Sequence, residues 1–186
     1  MFLKEPSKFN YMIGPNVLLR APEPSDIDTI FRWENDTRIW HLGDTLAPYS
    51  RFAIEQFVLN TENDIFASKQ LRMMIDWHSS GHEKIAIGSI DLYDFDPFHK
   101  RAGIGILIDE PFRHKGFALE SLNLLIEYCF TTLNLHQLFC NIEHSNAESI
   151  NLFAKAGFVA CGIKKEWLFR NGNWSDELMF QMINRQ

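Results

Sequence analysis

Apolar positions along this chain repeat with two periods, and the change from one to the other marks its elements. Val17 to Arg20 reads as a short strand. Ser25 with Asp28 three residues on resembles a capping pair that opens a helix burying Ile27, Ile30 and Phe31, and Ser50 is a second N-cap candidate ahead of Phe52, Ile54, Phe57 and Val58. Leu71 to Asp76 and Lys84 to Leu92 read as a hairpin joined at Ser79, Ser80 and Gly81. Pro97 and its charged neighbours make Asp94 to Lys100 a loop, which leads into Ala102 to Ile108. That run of β-branched residues and glycines, bounded by Asp109, Glu110 and Pro111, suits a buried strand, so three antiparallel strands are expected in succession.

The second half opens with a change of period. Leu119, Leu122, Ile126, Cys129, Phe130 and Leu133 recur at the three- and four-residue steps of one helix face. Leu138 to Ile142 is a further strand. Ser145 and Glu148 form a capping box before a helix that buries Ile150, Phe153 and Ala154 and ends at Gly157. Trp167 to Arg170, the Asn171 and Gly172 turn, and Leu178 to Ile183 close the chain as a hairpin. The resulting order is α/β (α+β), without repeats or low-complexity linkers.

A length of 186 residues fits one domain with a full core, and 46% hydrophobic with 13% aromatic residues argues against disorder. The formal charge of −6 leaves no electrostatic footprint for nucleic acid. Cys129, Cys140 and Cys161 are widely spaced among apolar neighbours, which gives neither a disulfide framework nor a metal or redox motif. His78 and His82 are four apart, but Ser79, Ser80 and Gly81 argue against the helix that would align them, so no metal is expected. Charges near the start break any signal-like stretch and no 18-residue apolar run occurs, so the expectation is a cytoplasmic protein without membrane association.

The most informative segment is Arg113, His114, Lys115, Gly116, Phe117 and Ala118, between the Ala102 strand and the long helix. Amides at a helix N-terminus lack intrahelical partners and carry partial positive charge, so this cationic glycine turn can hold a diphosphate. Gly103, Ile104 and Gly105 do not make a dinucleotide motif, because they lie inside a strand and lack the third glycine and the acidic ribose ligand. Asn146 is a favoured helix cap, but the Ser145 and Glu148 box would leave its side chain free for a cofactor group.

With Leu19, Arg20 and Asp26 near the start, Gly88, the Arg113 to Ala118 turn, and Asn146, Ser149, Gly157, Phe158, Asn171, Gly172 and Asp176 downstream, nearly the whole chain resembles the GCN5-related N-acetyltransferases. The branch it is similar to holds spermidine acetyltransferases and ribosomal-protein N-terminal acetyltransferases. The resemblance implies a single acetyltransferase domain over residues 1–186, with 1–13 as an N-terminal extension. Its central mixed sheet, mostly antiparallel and twisted, would splay open between the Ala102 and Leu138 strands, with flanking helices. Acetyl-CoA would lie in the opening, its pantetheine on the edge around Leu107, Ile108 and Asp109 and its diphosphate on the amides of His114 to Ala118. Asn146 would be a further contact. A direct attack by an amine is implied, with a backbone N–H near Ile108 on the oxyanion and most of the rate coming from positioning.

One position departs from the family. Where many members carry a Tyr that protonates the leaving thiolate, this chain has Phe153, which has no proton to give. The resemblance puts Phe153 against the cofactor, whereas Phe153 and Phe158 at their helical and strand spacing read as core. Ser149 or water then supplies the proton. Some relatives hold a Glu five residues before the Asn; Asn141 occupies that place and stands with Ser149 as a catalytic candidate, and the amine's proton leaves through a carboxylate from elsewhere or an ordered water. Asp91, Asp94, Glu143 and His144 sit at predicted strand ends facing the cleft.

Two acceptors fit. A polyamine would want an acidic cleft, for which Glu34, Asp36, Asp44, Asp91, Asp94 and Asp96 are available, and a protein N-terminus would want an open groove beside the terminal hairpin. Trp33, Trp40, Trp77, Trp167 and Trp174 would divide between core and pocket wall. Exposed strand edges offer a surface for a homodimer. From a different functional class, the missing Tyr also fits a CoA-binding regulatory protein that turns over little or not at all.

Overall fold

The computed structural model describes residues 12–40, 45–59, 64–78, 84–170 and 172–185. Strand β1 (Val17–Arg20) ends on Arg20, whose guanidinium decides how the next helix begins. It donates to Asp26 at 2.6 and 2.9 Å and to Asp76 at 2.6 and 3.0 Å. Asp26 also accepts the Glu23 amide at 2.7 Å, so the chain enters through a 3-10 turn at Pro24–Asp26, not through the expected Ser25 and Asp28 pair. Helix α1 (Ile27–Glu34) buries Ile30 and Trp33 and leaves Ile27 and Phe31 half-buried. Ser50 does cap α2 (Arg51–Leu59), its Oγ accepting the Ala53 amide at 3.1 Å, and Ile54 and Val58 turn inward while Phe52 stays exposed. A short α3 (Ile65–Ser68), capped by Asp64, precedes the second strand.

Strands β2 (Leu71–Trp77), β3 (Ile85–Asp96) and β4 (Arg101–Ile108) form the expected antiparallel meander. The turn expected at Ser79 to Gly81 lies outside the described residues. β3 runs further than expected, because a register irregularity after Tyr93 carries Asp94 through a φ of 49° and lets Phe95 and Asp96 rejoin the strand. The loop shrinks to residues 97–100. Helix α4 (Phe117–Thr131) buries Leu122, Leu125 and Cys129, with Ile126 half-buried and Leu133 beyond its end.

After α4 come β5 (Gln137–Glu143), α5 (Ala147–Lys155), β6 (Val159–Arg170) and β7 (Asn173–Ile183). The cap of α5 is Asn146, whose Oδ1 accepts the Ser149 amide at 3.1 Å, so the expected Ser145 and Glu148 box is replaced and the Asn146 oxygen is occupied. Of the expected inward residues Phe153 is buried, Ile150 half-buried and Ala154 exposed, and Gly157 takes the left-handed φ of 98° that a helix terminus favours. β6 and β7 are both longer than their apolar runs suggested. β6 is the sheet's outer strand with irregularities after Ala160 and Lys164, so period-two alternation breaks and its apolar residues face outward.

The seven strands lie in the order β1-β2-β3-β4-β5-β7-β6, antiparallel except between β4 and β5. The larger core fills the face under α4 and α5; a smaller one, Ile30, Trp33, Ile54, Val58 and Met74, fills the face under α1 and α2. Among the described residues, no helix is long and apolar enough to cross a membrane, and no group of His, Cys, Asp and Glu is placed to hold a metal.

Candidate active site

The parallel pair is where the sheet opens. β4 and β5 pair only at Arg101 with Gln137, Ala102 with Leu138 and Gly103 with Phe139; beyond these, β5 pairs with β7 alone. On its other side β4 stays tied to β3 to its end, with the Asp109 amide donating to Ile87 O at 2.8 Å. Successive residues of a strand turn their N–H groups to opposite edges, so the Ile108 amide faces the opening. The approach of β3 and β4 is tight here: a Cβ on Gly88 would stand 2.1 Å from Leu107 O. A bare backbone at residue 88 sets where the β4 edge lies.

At the end of β4 the chain turns through Glu110–Phe112 into the segment that precedes α4. Arg113 Nε donates to Ile108 O at 2.9 Å, which folds the guanidinium back along the strand end. His114 and Gly116 both take positive φ, 60° and 87°, and Gly116 is the N-cap of α4 without a side chain bonded to the helix amides. A Cβ at Gly116 would meet nothing within 4 Å, so the amides of the first turn of a 15-residue helix look into open space. Lys115 Nζ lies 5.3 Å from the Phe112 ring centre, and His114 Nε2 lies 3.7 Å from Glu148 on α5. Uncapped amides beside Arg113 and Lys115 fit a diphosphate.

A cavity of about 450 Å³ occupies the open end of the splay. Trp33 and Arg38 close it from the α1 side, Leu107, Asp109 and Arg113 from the end of β4, and Glu143 and Asn146 from the end of β5. Its wall carries the carboxylates of Asp36, Asp109, Glu110, Glu143 and Glu148 and the guanidinium groups of Arg38 and Arg113, and Arg32 and Arg170 reach Asp109 and Glu143 from outside it. Arg38 bonds Asp36 at 2.8 Å and Glu110 at 3.2 Å, and Arg32 bonds Asp109 at 2.9 Å. Burial works against ionisation of Asp109, but Arg32 and the Glu110 amide outweigh it and hold its carboxyl below the usual range. Hydrogen bonds from Arg38 do the same for Asp36. Both are ionised at neutral pH.

Other candidates land elsewhere. Ile108, Asn141, Ser149 and the His114 to Ala118 turn are absent from the wall of this cavity, and Phe153 is 3% exposed in the larger core with its ring edge-on to Phe158. Glu34 and Asp91 share Arg72, which bonds Asp91 at 2.6 Å and pairs with Glu34. Asp94 and Asp96 line a separate cavity of about 470 Å³ with Arg101, Gln137 and Phe139. Asp44 lies outside the described residues. His144 is exposed, its amide tied to Asp176 O at 3.0 Å. Of the tryptophans Trp33 is buried on the cavity wall, and Trp167 and Trp174 are exposed on the terminal hairpin. Arg38, Ile39 and Glu110 line the site without a sequence signal, since no local pattern tells a pocket-lining charge from a solvated one.

An open β4 edge, an uncapped helix turn below it and a splay between parallel strands together match a known domain. Residues 16–159 match the family model described as the acetyltransferase (GNAT) domain. The chain belongs to the GNAT acetyltransferase family. Among curated relatives, this acetyltransferase is 28% identical to spermidine N(1)-acetyltransferase of Vibrio cholerae, over 88% of its own length and 91% of the relative's. It is 26% identical to the [ribosomal protein uS5]-alanine N-acetyltransferase of Escherichia coli, over 81% and 84% of the two chains. The crystal structure of the Vibrio cholerae spermidine N-acetyltransferase in complex with CoA and spermine superposes with a TM-score of 0.80 at 26% identity, covering 91% of this chain and 96% of that one.

Proposed function

We propose that this acetyltransferase moves the acetyl group of acetyl-CoA to a primary amine of a small linear polycation of the polyamine class. The observation that carries the reading is the cavity at the mouth of the splay, where Asp36 and Glu110 share the one guanidinium of Arg38 and, among the described residues, no arginine is bonded to Glu148. A polyamine presents several ammonium groups along one flexible chain. A peptide N-terminus presents one amine followed by neutral backbone, and gains less from such a wall. The relatives named as spermidine acetyltransferases support the same choice.

The residues divide the work by position. The amides of the Gly116 turn, with Lys115 beside them, hold the diphosphate of acetyl-CoA, and the β4 edge at Leu107 and Ile108 receives the pantetheine as an added strand. The Ile108 N–H donates to the carbonyl oxygen as negative charge grows on it. Asp36, Glu110 and Glu148 hold the distal ammonium groups of the acceptor, which sets the reacting nitrogen at the thioester.

Thiol release from acetyl-CoA in the presence of spermidine, a short diamine, or an Ala- or Ser-initiated peptide tests the reading. A kcat/KM for spermidine well above that for either peptide is expected, and the reverse order refutes it. The protein N-terminus remains the second reading because Trp167, Phe169 and Trp174 stand exposed on the terminal hairpin, where an extended peptide would lie. CoA binding with no thiol release for any amine would instead establish a regulatory protein.

A further inference from the structure

Arg38 is a cation on the wall of the cavity that the acceptor's cations must enter. It follows α1, lines the cavity, and is held from two sides. Its Nε and Nη2 donate to Asp36 at 3.0 and 2.8 Å, and its backbone N–H donates to the same carboxylate at 3.0 Å. That small ring fixes the guanidinium. The remaining Nη1 donates to Glu110 at 3.2 Å, so the group bridges from the α1 side of the cavity to the turn after β4.

The carboxylates of the wall differ in how their charge is met. Asp109 has Arg32 at 2.9 Å, and Glu143 has Arg170 at 3.6 Å with the Ser175 hydroxyl at 2.9 Å. These two are matched one to one. Arg113 donates to Ile108 O beside the Gly116 turn, so the diphosphate proposed there answers its charge. Asp36 and Glu110, in contrast, share one guanidinium, and among the described residues Glu148 has only the His114 imidazole within ion-pair distance, at 3.7 Å. With His114 neutral, two negative charges are left for a ligand, one over the Asp36, Arg38 and Glu110 bridge and one at Glu148.

Resting on the reading that this cavity receives a polyamine, we infer that Arg38 sets how many ammonium groups the cavity holds and so selects among polyamines by their charge. The attacking nitrogen must be neutral to offer its lone pair, so a diamine brings one ammonium group, a triamine two and a tetraamine three. Two unmatched charges suit the triamine. A third ammonium would have to displace the guanidinium from Glu110 or lie beside it, like charge against like charge. Arg38 and Glu110 are both exposed, so the preference amounts to a few-fold.

The test compares wild type, Arg38→Gln and Arg38→Lys with putrescine, spermidine and spermine, reading kcat and KM for transfer and the affinity for each amine by calorimetry. In wild type spermidine is expected to lead. Arg38→Gln leaves a third charge unmatched, so the ratio of spermine to spermidine in kcat/KM should rise about 2- to 5-fold, carried by KM more than by kcat, and the calorimetric affinities should move with it. The shift should collapse in about 1 M salt, where the Debye length is about 3 Å. Arg38→Lys keeps the charge and should keep the wild-type order. An unchanged ratio in Arg38→Gln, an equal loss for all three amines, or a shift that survives high salt overturns the proposal. So does a wild type that prefers spermine to spermidine, or an Arg38→Lys protein that behaves like Arg38→Gln. If Arg38→Gln fails to fold, Glu110→Gln tests the count in the other direction: one charge stays unmatched, putrescine should gain on spermidine by a similar factor, and no gain refutes the count. A wild type that prefers a peptide N-terminus to every polyamine removes the acceptor reading and this proposal together. A wild type that prefers spermidine while the Arg38→Gln ratio stays unchanged removes the part of Arg38 alone.

Discussion

Gly88→Ala probes how strictly the β4 edge must be placed. The added methyl would stand 2.1 Å from Leu107 O, 3.1 Å from the Ile108 Cδ1 and 3.2 Å from the Ile108 Cα, so backbone as well as side chain opposes it. Relieving the first contact to a van der Waals distance requires β4 and β3 to separate by about 1 Å. Gly88 faces Ile108 across the pair, so the displacement falls on the N–H proposed to donate to the carbonyl oxygen and on Leu107 at the cavity wall. Overpacking of this kind costs about 1–3 kcal/mol, and for a chain of this size each kcal/mol lowers Tm by about 2–4 °C. A 1 Å misplacement of a reacting group costs about 100-fold in rate. The variant should therefore fold, melt several degrees lower, and lose far more in kcat/KM than its stability loss explains. Gly105→Ala on the same strand is the stability control, because a Cβ there meets nothing within 4 Å. A Gly88→Ala protein with kcat/KM within a few-fold of wild type would refute the claim that this edge is held by the missing side chain.

Three further outcomes follow from the same contacts. Gly116→Asp puts a carboxylate in front of the α4 amides at a φ of 87°, so thermal stabilisation by CoA should vanish, and a retained Tm shift would remove the diphosphate assignment. Arg20→Met leaves Asp26 and Asp76, 5% and 2% exposed, without their counter-charge, which costs about 3–5 kcal/mol. The corresponding Tm loss at pH 7 is about 6–20 °C. It should shrink as acid neutralises Asp26, and a small, pH-independent loss would show that the clamp is not what holds β1, β2 and the start of α1 together. In the wild type, burial opposes ionisation of Asp26 but Arg20 and the Glu23 amide outweigh it and hold its carboxyl below the usual range. Its contribution is present above the unfolded carboxyl pKa and is lost as pH falls through the lowered folded value, so urea midpoints should decline on that limb and Asp26→Asn should flatten the decline.

How much of the fold and site was legible depended on whether the information was local. Residues 103–118 carry the proposed cofactor end in one contiguous stretch: a strand edge, helix amides and a glycine with positive φ. Glycines and strand runs are visible in sequence, so the strand, turn and helix here could be read. Where the start of α1 departs from the expected cap, a distant residue intervenes. Asp26 rather than Ser25 organises the start of α1 because Arg20, six residues earlier, and Asp76, on another strand, complete its charge balance. The terminal hairpin is legible, but the full length of β6 is not, because an outer strand with irregularities has no buried face to impose alternation.

The acceptor end is illegible for a related reason. Its wall joins Trp33 and Arg38 to Asp109, Glu143 and Asn146, side chains from segments more than a hundred residues apart, each indistinguishable in isolation from a surface charge or a core aromatic. Composition predicted acidic residues there, but the fold sorts them by their partners. Arg72 takes Glu34 and Asp91 into a packed cluster, the second cavity takes Asp94 and Asp96, and Asp36 stays at the splay, where Glu110, Glu143 and Glu148 join it. Each pairing of an arginine with a carboxylate cancels one negative charge in the cleft without altering the sheet that carries it, so moving an arginine between carboxylates changes the wall that an acceptor would meet.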